Sequence, residues 1–186
     1  MDKNLTTYLK RYKSVIPFNI CDDVITECKT TLKVEKHTYS YQKGEPHSFH
    51  NDLLVSTDLS KHHHYIMNLI YEALKDYHIS YQFPWNDKWA GYSPIRINIY
   101  DVGTEMREHC DHIHSLFPGK PAGIPILTIL GCLNDEYEGG ELIMWTDTKI
   151  DFRKGDILIF PSNFLYPHAV LPITSGTRYS FVSWTW

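Results

Sequence analysis

From Ile95 onward the chain changes its period. Ile95, Ile97 and Ile99 alternate with Arg96, Asn98 and Tyr100, and a period of two sends each set to its own face of a strand. One face is apolar and belongs against a core. The other carries a guanidinium, an amide and a phenol and faces something polar. Short apolar stretches and turns then follow at close intervals: Pro125–Leu133, the Gly139-Gly140 turn into Glu141–Trp145, Thr148–Phe152, the tight turn Lys154-Gly155-Asp156, Ile157–Phe160 and Arg178–Trp186. Seven or eight short strands separated by turns predict a sandwich or a barrel.

The N-terminal half reads differently. Residues 4–13 form a short helix or a strand. A helix opens at Phe18, with Asn19 as N-cap and Ile20, Val24, Ile25 and Cys28 at helical spacing, and ends near Thr31. Leu59 to Tyr77 gives the strongest helical stripe, through Tyr65, Ile66, Leu69, Ile70, Ala73 and Leu74. Between the helices the periodicity fails. Thr38–Tyr41 alternates like a strand, Lys43–Pro46 is a turn, and His47 and His50 follow, so residues 36–52 read as a mobile segment or a hairpin, a candidate substrate loop. Tyr81 to Tyr92 reads as an irregular connection. Helices first and strands later predict an α+β chain, mainly β, with helices buttressing one sheet. Its 186 residues fit one domain, with residues 1–80 as helical support and 93–186 as the core.

The composition excludes several classes. A net charge of −4 gives no general reason to bind nucleic acid or an anionic membrane. The start of the chain lacks the apolar core of a signal peptide, and no apolar run reaches membrane-spanning length. The four cysteines form no CxxC pair and read as reduced thiols. The expectation is a soluble cytoplasmic protein.

The chemistry gathers around Arg107–Asp111. His109 and Asp111 stand two apart and share one face of an extended strand. His168 offers a third arm. Two histidines and a carboxylate form the facial set of non-haem Fe(II) oxygenases, which leaves the opposite side of the metal open. Ten residues further on, Arg178 supplies the fixed cation that a dicarboxylate requires. By parity Arg178, Ser180, Val182 and Trp184 share a face, with Tyr179 and Phe181 on the other. His112 and His114 form a second pair, of the kind cupins use, but no carboxylate follows in Ser115–Pro118. They are placed instead on the loop leaving the strand, near substrate. His62, His63 and His64 point three ways on a helix and read as a solvated edge.

Residues 95–186 resemble the 2-oxoglutarate/Fe(II) dioxygenase superfamily, most closely its prolyl 4-hydroxylase-like branch. The resemblance rests on His109-x-Asp111, Gly139-Gly140-Glu141-Leu142, Gly155-Asp156-x-Leu158-x-Phe160, Pro167-His168 and Arg178, in family order. It implies a double-stranded β-helix, or jelly roll, with Fe(II), 2-oxoglutarate and O2, and ascorbate as a candidate addition. It assigns His109, Asp111 and His168 to the metal and Arg178 to the distal carboxylate of 2-oxoglutarate. The branch often has Lys at this last position, and Arg occurs in close relatives. Tyr100 stands near a family tyrosine that hydrogen-bonds the co-substrate, and Thr128 and Leu130 are expected to line the same cavity. Trp184 follows the arginine by six residues, as in relatives that hydroxylate protein prolines. It is assigned to co-substrate and substrate, and Arg96 and Asn98 to substrate.

Halogenating relatives lack the carboxylate, so Asp111 favours hydroxylation. The implied reaction converts 2-oxoglutarate and O2 to succinate and CO2 and hydroxylates an unactivated C–H bond, a prolyl residue in a peptide or protein. The alternatives are a small-molecule or free amino-acid hydroxylase and a non-catalytic jelly-roll binding module. No nucleic-acid or membrane partner is expected.

Overall fold

The computed structural model describes residues 4–37, 53–82, 91–111 and 124–186. The expected strand at Thr38–Tyr41, nearly all of the 36–52 loop, and His47, His50, His112 and His114 lie outside the described residues, as do residues 83–90 of the expected connection.

The stretch at 4–13 is both of the things its sequence allowed: a 3-10 turn over Leu5–Tyr8, then strand β1, Lys10–Tyr12. Helix α1 runs Phe18–Thr30. Its N-cap is Pro17, not Asn19: the Pro17 carbonyl accepts from the N–H groups of both Ile20 and Cys21, so Asn19 already lies inside the first turn. Helix α2 runs His63–Tyr81, four residues later at each end than the apolar stripe implied. Its C-terminal part is tied to the N-terminal segment by the Tyr77 hydroxyl, which donates to the Tyr8 carbonyl at 2.6 Å, and by the Tyr81 hydroxyl, which donates to the Thr7 carbonyl. Its buried face is Ile66, Met67, Ile70, Ala73, Leu74 and Tyr77, while Tyr65 is exposed.

Strands β2 (Glu35–Lys36), β3 (Leu54–Ser56), β4 (Arg96–Tyr100), β6 (Leu127–Cys132), β10 (Ile157–Pro161) and β13 (Arg178–Thr185) join β1 in a seven-stranded antiparallel sheet, in the order β1-β10-β6-β13-β4-β3-β2. A second sheet of four strands has the order β5-β11-β8-β9, from β5 (Met106–His109), β8 (Leu142–Met144), β9 (Thr148–Lys149) and β11 (His168–Val170). Strands β7 (Tyr137–Gly139) and β12 (Ile173–Gly176) form a separate pair. This is the mainly β, jelly-roll architecture with two helices.

The large sheet has two different faces. Ile95, Ile97, Ile99, Ile129, Tyr179 and Phe181 pack with both helices in one apolar cluster. Gly131 is placed by need: it lies opposite Phe181, and a Cβ there would come within 2.0 Å of that ring. The N-terminal region does more than supply helices. β1 closes one edge against β10, where Arg11 Nε donates to the buried Asp156 carboxylate at 2.6 Å, and β3 and β2 extend the other edge.

Candidate active site

His109 closes β5 and His168 opens β11, and the two are direct partners across the antiparallel pair, with ring centroids 4.4 Å apart. Asp111 lies past the end of β5, in a bend rather than on an extended strand. Its carboxylate still reaches both rings: Oδ1 is 3.4 Å from His109 Nε2, and Oδ2 is 3.8 Å from His168 Nε2. The three donor atoms lie within 4.8 Å of one another. Each imidazole is oriented from behind. His109 Nδ1 stands 2.7 Å from the Arg107 carbonyl and His168 Nδ1 3.2 Å from the Tyr166 carbonyl. A carbonyl only accepts, so Nδ1 carries the hydrogen and the Nε2 lone pair is left for a metal.

The charges agree with that use. Burial would raise the Asp111 carboxyl, but the neighbouring imidazoles of His168 and His109 outweigh it and hold the group well below the ordinary carboxylate range. Burial pushes His168 down to about 4, against the pull of Asp111, so it is neutral. For His109 burial also lowers the value, but Asp111 and the Arg107 carbonyl raise it further, and the net direction is upward. Thr128 is fully buried behind the carboxylate. Its hydroxyl donates to Asp111 Oδ2 at 2.8 Å and lies 2.8 Å from Ser162 Oγ. It therefore orients Asp111 and does not line the cavity as the sequence reading expected.

The opposite face of the β13–β4 pair carries the other half of the site. Arg178, Ser180, Val182 and Trp184 line one cavity with the metal triad, together with Arg96, Asn98, Tyr100 and Leu130. Arg178 is buried and pairs in register with Tyr100, its guanidinium 5.1 Å from the phenol ring centre. Its NH1 donates to Ser180 Oγ at 2.9 Å, while Nε is buried with no hydrogen-bond partner. Among the described residues no carboxylate pairs with this cation. At the metal end Arg96 lies 5.0 Å from the Trp184 ring centre, and its Nε donates to Asn98 Oδ1 at 3.1 Å. Trp184 thus sits beside Asp111, away from Arg178.

With this arrangement in view, residues 95–186 match the sequence model of the 2OG-Fe(II) oxygenase superfamily. This half of the chain belongs to that superfamily. A PKHD-type hydroxylase of Delftia acidovorans is 36% identical over 99 residues, covering 50% of this chain and 42% of that protein. One from Methylobacterium nodulans is 36% identical over 110 residues, covering 52% and 46%. The match thus spans less than half the length of these relatives. Among solved structures, a viral collagen prolyl hydroxylase of Paramecium Bursaria Chlorella virus-1, in its 2OG complex, superposes with a TM-score of 0.64 at 17% identity, over 96% of this chain and 94% of that one. A prolyl hydroxylase of Trichoplax adhaerens, in complex with a hypoxia inducible factor peptide fragment, gives 0.68 at 16% identity, over 97% and 84%. At these identities the structures speak to the fold.

The cofactors of that superfamily, Fe(II) and 2-oxoglutarate, fit the residues present. Two neutral-capable imidazoles and one ionised carboxylate are a donor set for Fe(II). A buried guanidinium with an unused N–H is a seat for the far carboxylate of a dicarboxylate. Three residues of the neighbourhood escaped the sequence reading. Ser162 backs Thr128. Tyr137 lies beside Arg178. His37 is on the site side of the sheet next to Leu53, its backbone N–H donating to the Leu53 carbonyl at 2.8 Å. Burial, then the charges of Arg96 and His109, push the His37 imidazole down to about 4. No local motif marks any of the three, because each is brought in by strand pairing. Among the described residues, no helix is long and apolar enough to cross a membrane.

Proposed function

We propose that this protein is a 2-oxoglutarate- and Fe(II)-dependent hydroxylase that acts on a prolyl residue of a peptide or protein, and that its 186 residues work as one such domain. The observation that carries the reading is the pairing of a two-histidine, one-carboxylate cluster with a buried arginine that has no acidic partner among the described residues, both facing one cavity. Strands from the N-terminal region on both edges of the large sheet support the single-domain reading. The prolyl substrate is supported by the printed activities of the structural neighbours and by the PKHD-type relatives.

His109, Asp111 and His168 would hold the metal on one side, with Thr128 fixing the carboxylate that completes the set. Fe(II), bound with 2-oxoglutarate and O2, supplies oxidative decarboxylation to succinate and CO2 and hydroxylation of an unactivated C–H bond. Arg178 would bond the distal carboxylate through its fork of N–H groups, which sets how far the co-substrate reaches toward the metal. Tyr100, stacked on that guanidinium, restricts its plane. Leu130, Leu142 and Val170 give the cavity apolar walls that keep water from the reacting centre. Arg96, Asn98 and Trp184 form the polar edge at the metal end and are the groups placed to meet the substrate chain.

The test is succinate formation under air with Fe(II), 2-oxoglutarate and ascorbate, with and without proline-containing peptides, using His109→Ala as the blank. The expected result is peptide-stimulated turnover with one oxygen atom gained on proline. Turnover without any peptide dependence would move the substrate to a small molecule or free amino acid. Wild type equal to the blank would leave a non-catalytic binding module.

A further inference from the structure

Asp111 is backed by two buried hydroxyls in series, and the series runs one way. An ionised carboxylate only accepts, so the 2.8 Å bond from Thr128 Oγ1 to Asp111 Oδ2 spends the single hydrogen of Thr128. Toward Ser162 Oγ, also 2.8 Å away, Thr128 can then only accept. Ser162 therefore donates to Thr128, and Thr128 to Asp111. Thr128 is fully buried and Ser162 is 1% exposed, so both bonds are shielded from bulk water.

The backbone fixes Ser162 on both sides. Its N–H donates to the Ile126 carbonyl at 2.9 Å, one step beyond the Pro161–Leu127 pair that ends the β10–β6 ladder. The following residues form a turn closed by Asn163. Its Oδ1 accepts from the Leu165 N–H and its carbonyl from the Tyr166 N–H, both at 3.0 Å. Trp145 clamps this turn. Its indole N–H donates to the Leu165 carbonyl at 2.9 Å and its backbone N–H to the Pro167 carbonyl at 3.0 Å. It does so at a φ of +52°, a left-handed conformation that bulky side chains rarely adopt. The turn ends at Tyr166, whose carbonyl faces His168 Nδ1. One short segment thus stands behind two of the metal-binding candidates: Asp111 through Ser162 and Thr128, and His168 through Tyr166. His109 is oriented separately, by the Arg107 carbonyl on its own strand.

We propose that Ser162 is a positioning residue of the metal centre: its hydroxyl, acting through Thr128, fixes the orientation in which Asp111 presents its carboxylate to the metal. The inference rests on the assignment of the metal to His109, Asp111 and His168. Ser162 does not line the cavity. Its donation holds Thr128 Oγ1 by a second bond and polarises the Thr128 O–H, which strengthens the bond to Asp111.

The test is Co(II) affinity by titration calorimetry, with the visible absorption bands of bound Co(II) as the readout of ligand geometry. The variants are Ser162→Ala, Thr128→Val and the two together. Ser162→Ala is expected to weaken Co(II) binding by about three- to tenfold, the scale of one hydrogen bond, and to shift the bands. In the Thr128→Val background the same change should alter neither affinity nor bands, because the path to Asp111 is already cut. A residue that only packs would give no loss in either background, or equal losses in both, and each of those results would overturn the proposal. If Ser162→Ala fails to fold, Ser162→Cys decides the matter, because a thiol fills the space but donates weakly. Its affinity should fall in the otherwise wild-type protein and not beside Thr128→Val; wild-type affinity would sink the idea. Failure of the wild type itself to bind Co(II) would instead remove the metal site, and the function proposed above with it.

Discussion

The two faces of the seven-stranded sheet are built from the same strands and do opposite work. On β4 the isoleucines enter the cluster under α1 and α2, while Arg96, Asn98 and Tyr100 line the cavity. On β13 Tyr179 and Phe181 go to the helices, and Arg178, Ser180, Val182 and Trp184 to the site. The helix face gains its stability from buried apolar area, which is insensitive to the order of the contacts. The cavity face keeps a buried arginine with an unused N–H and an ionised carboxylate between two imidazoles. Such groups cost stability unless a ligand satisfies them. The sheet thus lets one surface stabilise the other's strained electrostatics.

Substitutions on the two faces should therefore separate stability from metal binding. The largest effect expected is on the helix face. Phe181→Ala removes a fully buried ring and should destabilise the fold by about 3–5 kcal/mol, read from denaturant unfolding. Metal affinity measured below the shifted unfolding midpoint should stay at the wild-type value. A matching loss of metal affinity would show that the faces are not independent.

Thr128→Val is the reciprocal change. It removes the hydroxyl that donates to Asp111 and keeps the buried volume. Metal affinity should fall by about ten- to a hundredfold with little change in melting temperature. An unaltered affinity would mean that Thr128 is only filler beneath the carboxylate.

The smallest effect is the pH dependence of the metal-free protein. His168 and His37 are both pushed to about 4 in the fold, chiefly by burial. The unfolded chain then binds more protons than the folded one below about pH 6.5, so stability should fall as the pH drops from there toward 4. Asp111, depressed in the fold, adds a loss of the same sign at lower pH. His109, raised in the fold, works the other way: its contribution is complete below its unfolded value and fades as pH rises. Unfolding midpoints measured from pH 4.5 to 7.5 should rise toward neutrality. A flat profile would mean that the cavity face carries less electrostatic strain than its burial implies.

The alternation at residues 95–100 and 178–184 was readable without coordinates, because a strand's period converts parity directly into faces. His109, Asp111 and His168 were readable as donors, though Asp111 reaches its place from a bend past the strand and not from the strand itself. Helix ends were less legible. Pro17 caps α1 through its carbonyl alone, and α2 runs four residues later at each end than its apolar stripe implied. Thr128 was legible as a site residue and was misplaced within it, since parity gives a face but not depth.

What the sequence by itself determined was the strands β4, β5, β6, β8, β9, β10 and β13, the two faces of β4 and β13, and the identity of the groups that could hold a metal and a dicarboxylate, all properties of local period and side-chain chemistry, while the short strands β2, β3, β7, β11 and β12 carry too little period to be read. What only the tertiary structure decided was how those groups meet. It set His168 across from His109, put Thr128 behind Asp111, joined N-terminal strands to both edges of the sheet, and brought Tyr137 and His37 to the site. Those contacts join strands distant in sequence, and their register is fixed by hydrogen-bond pairing and close packing between chain segments, which no local pattern records.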